Sequence, residues 1–350
     1  MKTDIKSLTL PALQQQLAEM GEPPFRAGQV WRWLHQRGAV GFADMTDLSA
    51  GLRETLGEKY YINSLKIKKK LVSDRDGTVK YLYELRDGNC IEAVRLSHRH
   101  GASLCISTQI GCRMGCTFCA STIGRLVRNL DASEMIDQIY TAEKDTGRVD
   151  SVVLMGIGEP LDNYDNVCRF LQILSHKDGR NMSLRHLSLS TCGLVEEIDR
   201  LAQEKLGLTL SVSLHAPDDE TRSAMMPINR KWPIDPLLAA CKRYFDSTGR
   251  RISFEYTLVR DCNDSAATAQ ALADRLKGMN CHVNLIPLNP VPDRPSARSD
   301  AGVMRRFQQV LEANGITATF RREQGGDIAA ACGQLRRAAA ETTETPTDGG

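Results

Sequence analysis

Three cysteines occur within eight residues in the stretch Cys112-Arg113-Met114-Gly115-Cys116-Thr117-Phe118-Cys119. Three thiolates at this Cys-x3-Cys-x2-Cys spacing can hold three corners of a [4Fe-4S] cluster and leave the fourth iron open. An open iron can bind the amino and carboxylate groups of S-adenosylmethionine and reduce its sulfonium, which gives a 5′-deoxyadenosyl radical. Zinc is the alternative, but structural zinc usually takes two spaced pairs of ligands, and the chain has no second Cys-x2-Cys pair. The motif therefore predicts an iron-sulfur cluster held by Cys112, Cys116 and Cys119.

A repeated strand-loop-helix pattern surrounds this motif from residue 103 onward. Candidate strands are 104–107, 151–155, 186–190, 209–214, 252–258 and 282–287, and helical stretches such as 132–144, 166–176, 195–205 and 265–277 separate them. A further helix near 302–313 and a strand near 317–321 would close or flank the sheet. Such alternation predicts an α/β fold with a parallel sheet and helices outside it. We expect an incomplete (β/α)6 barrel over residues 101–335.

Two shorter units are predicted before the barrel. Residues 1–60 read as a helical accessory domain, because leucines recur in it at helical spacing. Over residues 61–100 the period changes to two, with Asp76-Gly77 and Asp87-Gly88 as hairpin turns, which predicts a short antiparallel β extension or linker. Residues 336–350 are rich in Thr, Gly and acidic residues and read as a disordered tail.

Lysines alternate along the first predicted strand of the extension, at Lys66, Lys68 and Lys70, with Lys69 between them. Alternate residues of a strand share a face, so we expect the first three to lie together on one side. Such a row can bind phosphates, or it can protect a solvated edge strand from pairing. The sequence leaves both interpretations open.

Composition limits the class of protein. The chain has 350 residues, 41% hydrophobic and 25% charged, with a net charge of +2, so it is not a polycation that coats nucleic acid indiscriminately. Eleven cysteines, an odd number, indicate metal ligands, reactive thiols or core residues in a reducing compartment. No signal peptide or apolar run of about 20 residues is present, which predicts a cytoplasmic protein without a membrane segment.

Glycines and polar residues follow the predicted strands. Gly156-Ile157-Gly158-Glu159-Pro160 comes directly after the second strand, where glycine lets the backbone approach a ligand and a carboxylate can bind an ammonium group. Ser190, Ser213, Leu214, His215 and Asn289 lie at or just beyond the ends of later strands. Ligands of such folds bind at the carboxyl ends of the strands. Each residue can equally belong to a turn, and for His215 alone a structural role is favoured.

Two cysteines stand apart from the triplet. Cys105 lies on the strand that leads into it, and Cys332 lies in a run of small residues, Gly326-Asp327-Ile328-Ala329-Ala330-Ala331-Cys332-Gly333. Spacing alone favours buried, unreactive cysteine for both. The remaining six cysteines are interpreted as packing residues.

These motifs together resemble the RlmN/Cfr family of radical S-adenosylmethionine RNA methyltransferases, and most of all its RlmN branch. The resemblance runs from about residue 8 to 335. Its pieces, in order, are Phe25-Arg26-Ala27-Gly28-Gln29-Val30, Cys112 to Cys119, Met155 to Pro160, Ser211-Val212-Ser213-Leu214-His215-Ala216-Pro217, Ile286-Pro287-Leu288-Asn289-Pro290 and Asp327 to Leu335. It implies a partial (β/α)6 radical-SAM barrel and methylation of a ring carbon of adenine.

The resemblance also implies roles for individual residues. One of two S-adenosylmethionine molecules used per turnover would methylate Cys332, and a radical from the second would take hydrogen from that methyl group. The carbon radical would add to the adenine. Glu92 matches the base that removes the ring proton, and Cys105 matches the thiol that closes a disulfide with Cys332 to release the product. Gly158 and Glu159 would meet the amino group of S-adenosylmethionine, and Ser190, Ser213, Leu214, His215 and Asn289 would line the rest of its site.

The implied reaction is methylation of adenine carbon 2 in 23S rRNA and at adenosine 37 of tRNA, by a monomer that receives electrons from a donor such as flavodoxin or ferredoxin. The alternatives are a Cfr-type carbon-8 methyltransferase and a non-catalytic RNA-binding protein with a structural metal. Candidate phosphate contacts are Lys66, Lys68, Lys69, Lys70, Arg26, Arg32 and Arg125. Trp31 or Trp33 is the candidate for stacking on a base.

Overall fold

The computed structural model describes residues 2–99, 101–289 and 296–328. Its N-terminal part is helical, as the leucine spacing predicts. The elements are β1 (Thr3–Asp4), α1 (Leu10–Glu19), α2 (Phe25–His35), α3 (Ala50–Lys59) and β2 (Tyr60–Tyr61). Thr9 and Ser49 cap α1 and α3 by accepting hydrogen bonds from backbone N–H groups of the first turn. Because β1 pairs with β2, the first and last residues of this unit meet.

The antiparallel extension follows. It consists of β3 (Lys66–Val72), β4 (Val79–Glu84) and β5 (Cys90–His98), joined by turns in which Gly77 and Gly88 have φ of 69° and 81°. Glycine suits both positions because it adopts positive φ without a steric cost. Both hairpin turns predicted from Asp-Gly pairs are therefore confirmed.

A β-bulge changes the expected lysine row. The register shifts between Ile67 and Lys69, so that Lys66 lies opposite Glu84, Lys69 opposite Leu82 and Lys70 opposite Tyr81. Lys66 and Lys69 thus share one face and Lys70 lies on the other. The prediction that Lys66, Lys68 and Lys70 lie together on one side is wrong, because the pattern of lysines contains no signal for the bulge.

The remaining strands form the parallel part of the fold. Its elements are β6 (Gly101–Cys105), β7 (Gln109–Ile110), β8 (Arg128–Asn129), α4 (Ala132–Thr146), β9 (Ser151–Leu154), α5 (Tyr164–Ser175), β10 (Leu187–Thr191), α6 (Val195–Gln203), β11 (Thr209–Ser213), α7 (Asp219–Met225), α8 (Ile234–Thr248), β12 (Ile252–Leu258), α9 (Ala266–Leu276), β13 (Cys281–Pro287), α10 (Ala301–Ala313) and β14 (Ala318–Phe320). The strand order in the sheet is β14-β13-β12-β11-β10-β9-β6-β5-β4-β3. The strands of this sheet from β6 through β14 pair in parallel, which confirms the predicted α/β barrel with β14 as a further strand.

The helical unit is fixed to the barrel by a buried polar group. The Lys6 ammonium is 2.8 Å from Asp137 Oδ1 in α4, and both side chains are almost completely buried. The side-chain amide of Asn63 donates to the other oxygen of Asp137 at 3.0 Å. A buried charge is tolerated where an opposite charge and hydrogen bonds compensate it, so these three residues hold the unit against α4.

The two faces of the parallel sheet differ in polarity. Leu104, Val152, Leu189, Leu210 and Phe254 are completely buried between the strands and the helices. The opposite, inner face carries Cys105, Ser190, Ser213 and Glu255, because Cys105 is in register with Val153, Val153 with Ser188, Ser190 with Ser211, and Ser213 with Glu255. The polar residues near the carboxyl ends of the strands therefore point to one interior.

Candidate active site

A cavity of about 200 Å³ lies at the carboxyl ends of the parallel strands. The three cysteines of the motif, Cys112, Cys116 and Cys119, line it. Five of the predicted cofactor contacts line it as well: Gly158, Glu159, Ser190, Ser213 and His215. The remaining polar or thiol lining among the described residues includes Thr191, Cys192, Glu255, Thr257 and Arg321. Sequence-distant residues thus meet in a single cavity beside the cysteine loop.

The cysteine loop is closed by short-range contacts. β7 and β8 pair as the base of the loop, and Gly111 has φ of 80°. A Cβ atom at Gly111 would lie 1.7 Å from the carbonyl oxygen of Arg125, so only glycine fits there. Inside the loop, the Thr122 hydroxyl donates to the carbonyls of Cys116 and Cys119 at 3.1 and 2.9 Å. These contacts hold the loop backbone from within the protein.

The chemistry of these thiols fits a cluster. Burial raises the pKa of Cys112 to about 12 and raises the pKa of Cys116 as well. Bound iron keeps such thiols ionised, since metal ligation deprotonates a coordinating thiol. Within the described residues, no group of three or more His, Cys, Asp or Glu side chains is arranged to hold a single metal ion. The three thiols line one cavity, as three ligands of a [4Fe-4S] cluster would.

Glycine and glutamate after β9 are held against the cysteine loop. Gly158 has φ of 110°, and a Cβ atom there would lie 2.6 Å from Cβ of Gln109. Glu159 is almost completely buried, and its two carboxylate oxygens accept hydrogen bonds from the backbone N–H groups of Leu161 at 3.0 Å and Cys192 at 2.8 Å. Burial raises the pKa of Glu159. The carboxylate is thus oriented by backbone donors on two sides.

His215 follows β11 with φ of 58°, a left-handed conformation that is uncommon outside glycine. Its Nδ1 accepts a hydrogen bond from the backbone N–H of Thr257 at 2.9 Å, so the ring is neutral and carries its proton on Nε2. Burial lowers the pKa of His215 to about 3. One ring nitrogen therefore has a structural role, as the sequence favours, while the ring still lines the cavity.

Two of the predicted cofactor contacts do not line the cavity. Leu214 is completely buried, and Asn289 is exposed beyond β13. Neither is among the described residues that surround the cavity. Leu214 packs in the core instead, and its carbonyl accepts a hydrogen bond from Arg222 Nε at 3.0 Å.

Arg222 is a site residue that sequence reasoning missed. It is completely buried in α7, and its guanidinium donates to the carbonyls of Cys192 at 2.8 Å, Ser213 at 3.0 Å and Leu214 at 3.0 Å. These carbonyls belong to the segments at the ends of β10 and β11, so one side chain ties two walls of the cavity together. No motif marks Arg222, because its partners are backbone atoms distant in sequence.

Glu255 and Arg321 were missed as well. Glu255 accepts hydrogen bonds from the side chains of Asn284 at 2.7 Å and Ser253 at 3.3 Å, and burial raises its pKa. The signal that could have found Glu255 is its position in the middle of a predicted buried strand, where an isolated carboxylate is rare. Arg321 follows β14 and lies 3.8 Å from the Met155 sulfur.

Two of the three predicted catalytic residues, Glu92 and Cys105, lie on the same sheet and are not among the described residues that line the cavity. Cys105 is buried at the end of β6, opposite Val94 of β5. Glu92, two residues from Val94 and also buried, is on the same face. No two cysteines of the described residues form a disulfide. Cys332 lies outside the described residues, as does the predicted tail 336–350.

The segment that precedes Cys332 makes hydrogen bonds to the antiparallel extension. The backbone N–H of Gly325 donates to the Asp76 carboxylate at 2.8 Å, and Asp327 accepts from the Ser73 hydroxyl at 2.7 Å and from the Asp74 N–H at 3.2 Å. Gln324 donates to the carbonyl of Ser97 at 3.1 Å. The first hairpin turn thus anchors the chain only a few residues before Cys332.

Of the two tryptophans proposed to stack on RNA, Trp31 is 1% exposed and packs in the core, so that role is wrong for it. Trp33 is half-buried, with the Arg37 guanidinium 4.4 Å from its ring centre. Phe25, at the start of α2, is 60% exposed and was not considered. Within the described residues, no helix is long and apolar enough to cross a membrane.

Comparisons with known proteins agree with this arrangement. Residues 3–62 match the family "Ribosomal RNA large subunit methyltransferase N-terminal domain", and residues 106–272 match the radical SAM superfamily. A protein of Alkaliphilus oremlandii named "Probable dual-specificity RNA methyltransferase RlmN" is 51% identical, covering 96% of this chain and 98% of the relative. A relative of the same name from Lachnoclostridium phytofermentans is 48% identical over 98% of this chain and 96% of its own length.

A solved structure shows the same fold. The crystal structure of a radical SAM methyltransferase from Sphaerobacter thermophilus is 43% identical and superimposes with a TM-score of 0.89, covering 95% of this chain and 98% of that one. Identity at this level, over nearly the whole of both chains, extends beyond the barrel to the N-terminal unit and the antiparallel extension. The chain therefore belongs to the RlmN family of radical S-adenosylmethionine RNA methyltransferases.

Proposed function

We propose that this protein methylates carbon 2 of a specific adenosine in 23S rRNA and of adenosine 37 in tRNA. The observation that carries the proposal is the joint match, in one chain, to a ribosomal RNA methyltransferase N-terminal domain and to the radical SAM superfamily. Relatives named as dual-specificity RNA methyltransferases support the pair of substrates. These substrates place the reaction in the cytoplasm.

The cofactors are a [4Fe-4S] cluster and S-adenosylmethionine, as the radical SAM match implies. Cys112, Cys116 and Cys119 would hold the cluster, which supplies the electron that cleaves S-adenosylmethionine. A flavodoxin or a ferredoxin is the proposed source of that electron, and the protein is proposed to act as a monomer. Gly158, which the close approach of Gln109 requires to be glycine, lines the cavity, and the Glu159 carboxylate can bind an ammonium group.

A radical route suits this substrate position. Carbon 2 of adenine lies between two ring nitrogens and is electron-poor, so it is a weak nucleophile toward a sulfonium methyl group. Cys332 would carry the methyl group to the ring, and Glu92 would accept the ring proton. Cys105 would then form a disulfide with Cys332 and release the methylated RNA. Glu92 and Cys105 share one face of the sheet, which supports their acting on one substrate.

Fewer basic residues are proposed to contact RNA than the sequence suggests. Lys66 and Lys69 are exposed on the face that also carries Glu92 and Cys105. The register places them there, because Lys69 lies opposite Leu82 and Leu82 lies opposite Glu92. Lys68 and Lys70 are engaged with Glu84 at 3.3 Å and Asp145 at 2.6 Å. Arg26, Arg32 and Arg125 remain candidates for phosphate contacts, and Phe25 replaces Trp31 as a candidate for stacking.

Anaerobic reconstitution tests the proposed reaction. The protein is loaded with iron and sulfide and incubated with 23S rRNA or tRNA, S-adenosylmethionine and a reductant, and digested nucleosides are analysed by mass spectrometry. We expect 2-methyladenosine from both RNAs. Finding 8-methyladenosine would replace the proposal with the carbon-8 reaction, and finding no methyladenosine in either RNA would overturn it.

A further inference from the structure

The proposed base, Glu92, belongs to a fully buried ion pair. Lys80 in β4 is 0% exposed, Glu92 in β5 is 3% exposed, and the ammonium lies 3.0 Å from Glu92 Oε2. Lys80 lies opposite Val94 and Glu92 lies opposite Leu82, so the pair runs diagonally between two strands on one face. The next strand adds Cys105 opposite Val94. Lys80 thus lies one strand from Glu92 and two strands from Cys105, on the same face of the sheet.

We propose that Lys80 is a positioning residue that holds the Glu92 carboxylate in the orientation needed to act on the substrate. This inference rests on the proposed function, in which Glu92 accepts the proton from the adenine ring. The ring C–H bond breaks, so that its proton passes to Glu92 and its electron pair stays in the ring, and the unpaired electron of the adduct would return to the oxidised cluster. In this role Lys80 keeps its own protons and acts through Glu92.

Apolar side chains adjoin the pair. Leu82 and Val94, on the same face, are 1% and 6% exposed. A buried carboxylate needs an opposite charge or hydrogen bonds to offset the loss of water. The Lys80 ammonium supplies such a charge at 3.0 Å, and attraction between charges is stronger away from water. Lys80 therefore holds the carboxylate in a defined position.

The backbone of Glu92 is fixed separately. Its carbonyl accepts a hydrogen bond from the Ser107 hydroxyl at 2.7 Å, and the side-chain amide of Gln138 pairs with both the N–H and the carbonyl of Ser107 at 2.9 Å. The barrel thus holds the main chain at Glu92 while Lys80 holds the carboxylate. Replacing Lys80 is therefore expected to alter the orientation of the Glu92 carboxylate without moving its Cα.

The test uses the full-length, cluster-loaded protein with rRNA as substrate and compares wild type, Lys80→Met, Glu92→Gln and the double variant. Methionine keeps the approximate length of lysine and removes its charge. We expect 5′-deoxyadenosine formation to continue in Lys80→Met while release of 2-methyladenosine falls on the order of 100-fold, the scale of a lost general base. A covalent protein-RNA adduct should accumulate on a denaturing gel. The double variant should be no slower than Glu92→Gln, since Lys80 acts only through that carboxylate.

A matched control separates this effect from loss of stability. Lys6→Met breaks another buried lysine-carboxylate pair, at 2.8 Å from Asp137, away from the proposed site. We expect it to lower stability without accumulation of the adduct. If Lys80→Met does not fold, the double variant, which removes both charges of the pair, supplies the comparison with Glu92→Gln.

Each contrary result has a distinct meaning. The role of Lys80 alone would be overturned if Lys80→Met released product at the wild-type rate. It would also be overturned if the double variant were slower than Glu92→Gln by the full effect of the Lys80→Met substitution. Equal accumulation of adduct in Lys6→Met would do the same. A wild-type protein that makes no 2-methyladenosine would overturn the proposed function together with the inference.

Discussion

Glu92 and Cys105 project from the same face of adjacent antiparallel strands, because Cys105 lies opposite Val94 and Glu92 is two residues from Val94. Thirteen positions separate them in sequence. Ser107, two residues past Cys105, donates a hydrogen bond to the Glu92 carbonyl and keeps the strands together at this end. This shared face is consistent with the proposal that Glu92 and Cys105 act in succession on one bound adenine.

Variants of Cys105 and Cys332 are predicted to stop at different stages of the reaction. Cys332→Ala should form no methylated RNA, because it lacks the sulfur that would carry the methyl group. Cys105→Ala should trap RNA covalently, because no thiol is left to release it. Denaturing gel electrophoresis with labelled RNA distinguishes the two. Free methylated RNA from either variant would contradict the role assigned to that cysteine.

Removal of one thiol of the triplet is predicted to abolish the cluster. Cys112→Ala leaves two thiols in the loop, so iron bound per chain and 5′-deoxyadenosine formation should both fall to background. Exposed Cys262 provides the matched control, and Cys262→Ala should keep the iron content of wild type. Iron analysis and chromatography of the nucleosides measure the two effects. A colourless, zinc-loaded wild-type protein would contradict the cluster.

The four lysines of β3 are predicted to contribute unequally to RNA binding. Lys66→Ala/Lys69→Ala should weaken RNA binding and reduce the slope of log affinity against log salt by about 0.7–0.9 for each phosphate that is no longer neutralised. Lys68→Ala/Lys70→Ala removes the same charge from side chains already engaged with Glu84 and Asp145, so it should change the slope less. Equal slopes for the two double variants would show that the shared face is irrelevant to RNA.

Two buried histidines predict a loss of stability in acid. Burial lowers the pKa of His35 and of His215 to about 3, against 6.5 for the unperturbed side chain. Below pH 6.5 the unfolded chain binds protons that the folded chain does not, so each histidine stabilises the fold fully above that pH. This stability is lost as the pH falls from 6.5 toward 3, by about 1.4 kcal/mol per pH unit for each histidine.

Urea unfolding at pH 7 and pH 5 measures this dependence. His35→Gln should be less sensitive to the change of pH than wild type by about 1.4 kcal/mol per pH unit. Exposed His98 supplies the control, and His98→Gln should keep the wild-type dependence. The same dependence in His35→Gln and wild type would mean that His35 is not held neutral by the fold.

The barrel and most of its lining could be predicted because both rest on local patterns. Strand-helix alternation places the polar ends of strands at one edge, and glycine-rich turns mark close approach. Arg222 could not be found this way, since it binds carbonyls brought together only by folding. Leu214 lies between Ser213 and His215, which line the cavity, yet its own side chain is buried in the core, and its position at a strand end does not reveal this. The bulge at Lys68 likewise leaves no trace in composition.

Hydrogen bonding runs without a break from the extension into the barrel, through the pairs from Val94–Cys105 to His98–Gly101. The barrel's first strand consequently has neighbours on both sides and is never a free edge. Extension and barrel should melt as one cooperative unit, with no intermediate in which the barrel survives alone. A truncated chain starting at Gly101 would expose a buried strand edge, which is a template for aggregation. The antiparallel extension therefore protects the edge of the barrel as well as carrying Glu92.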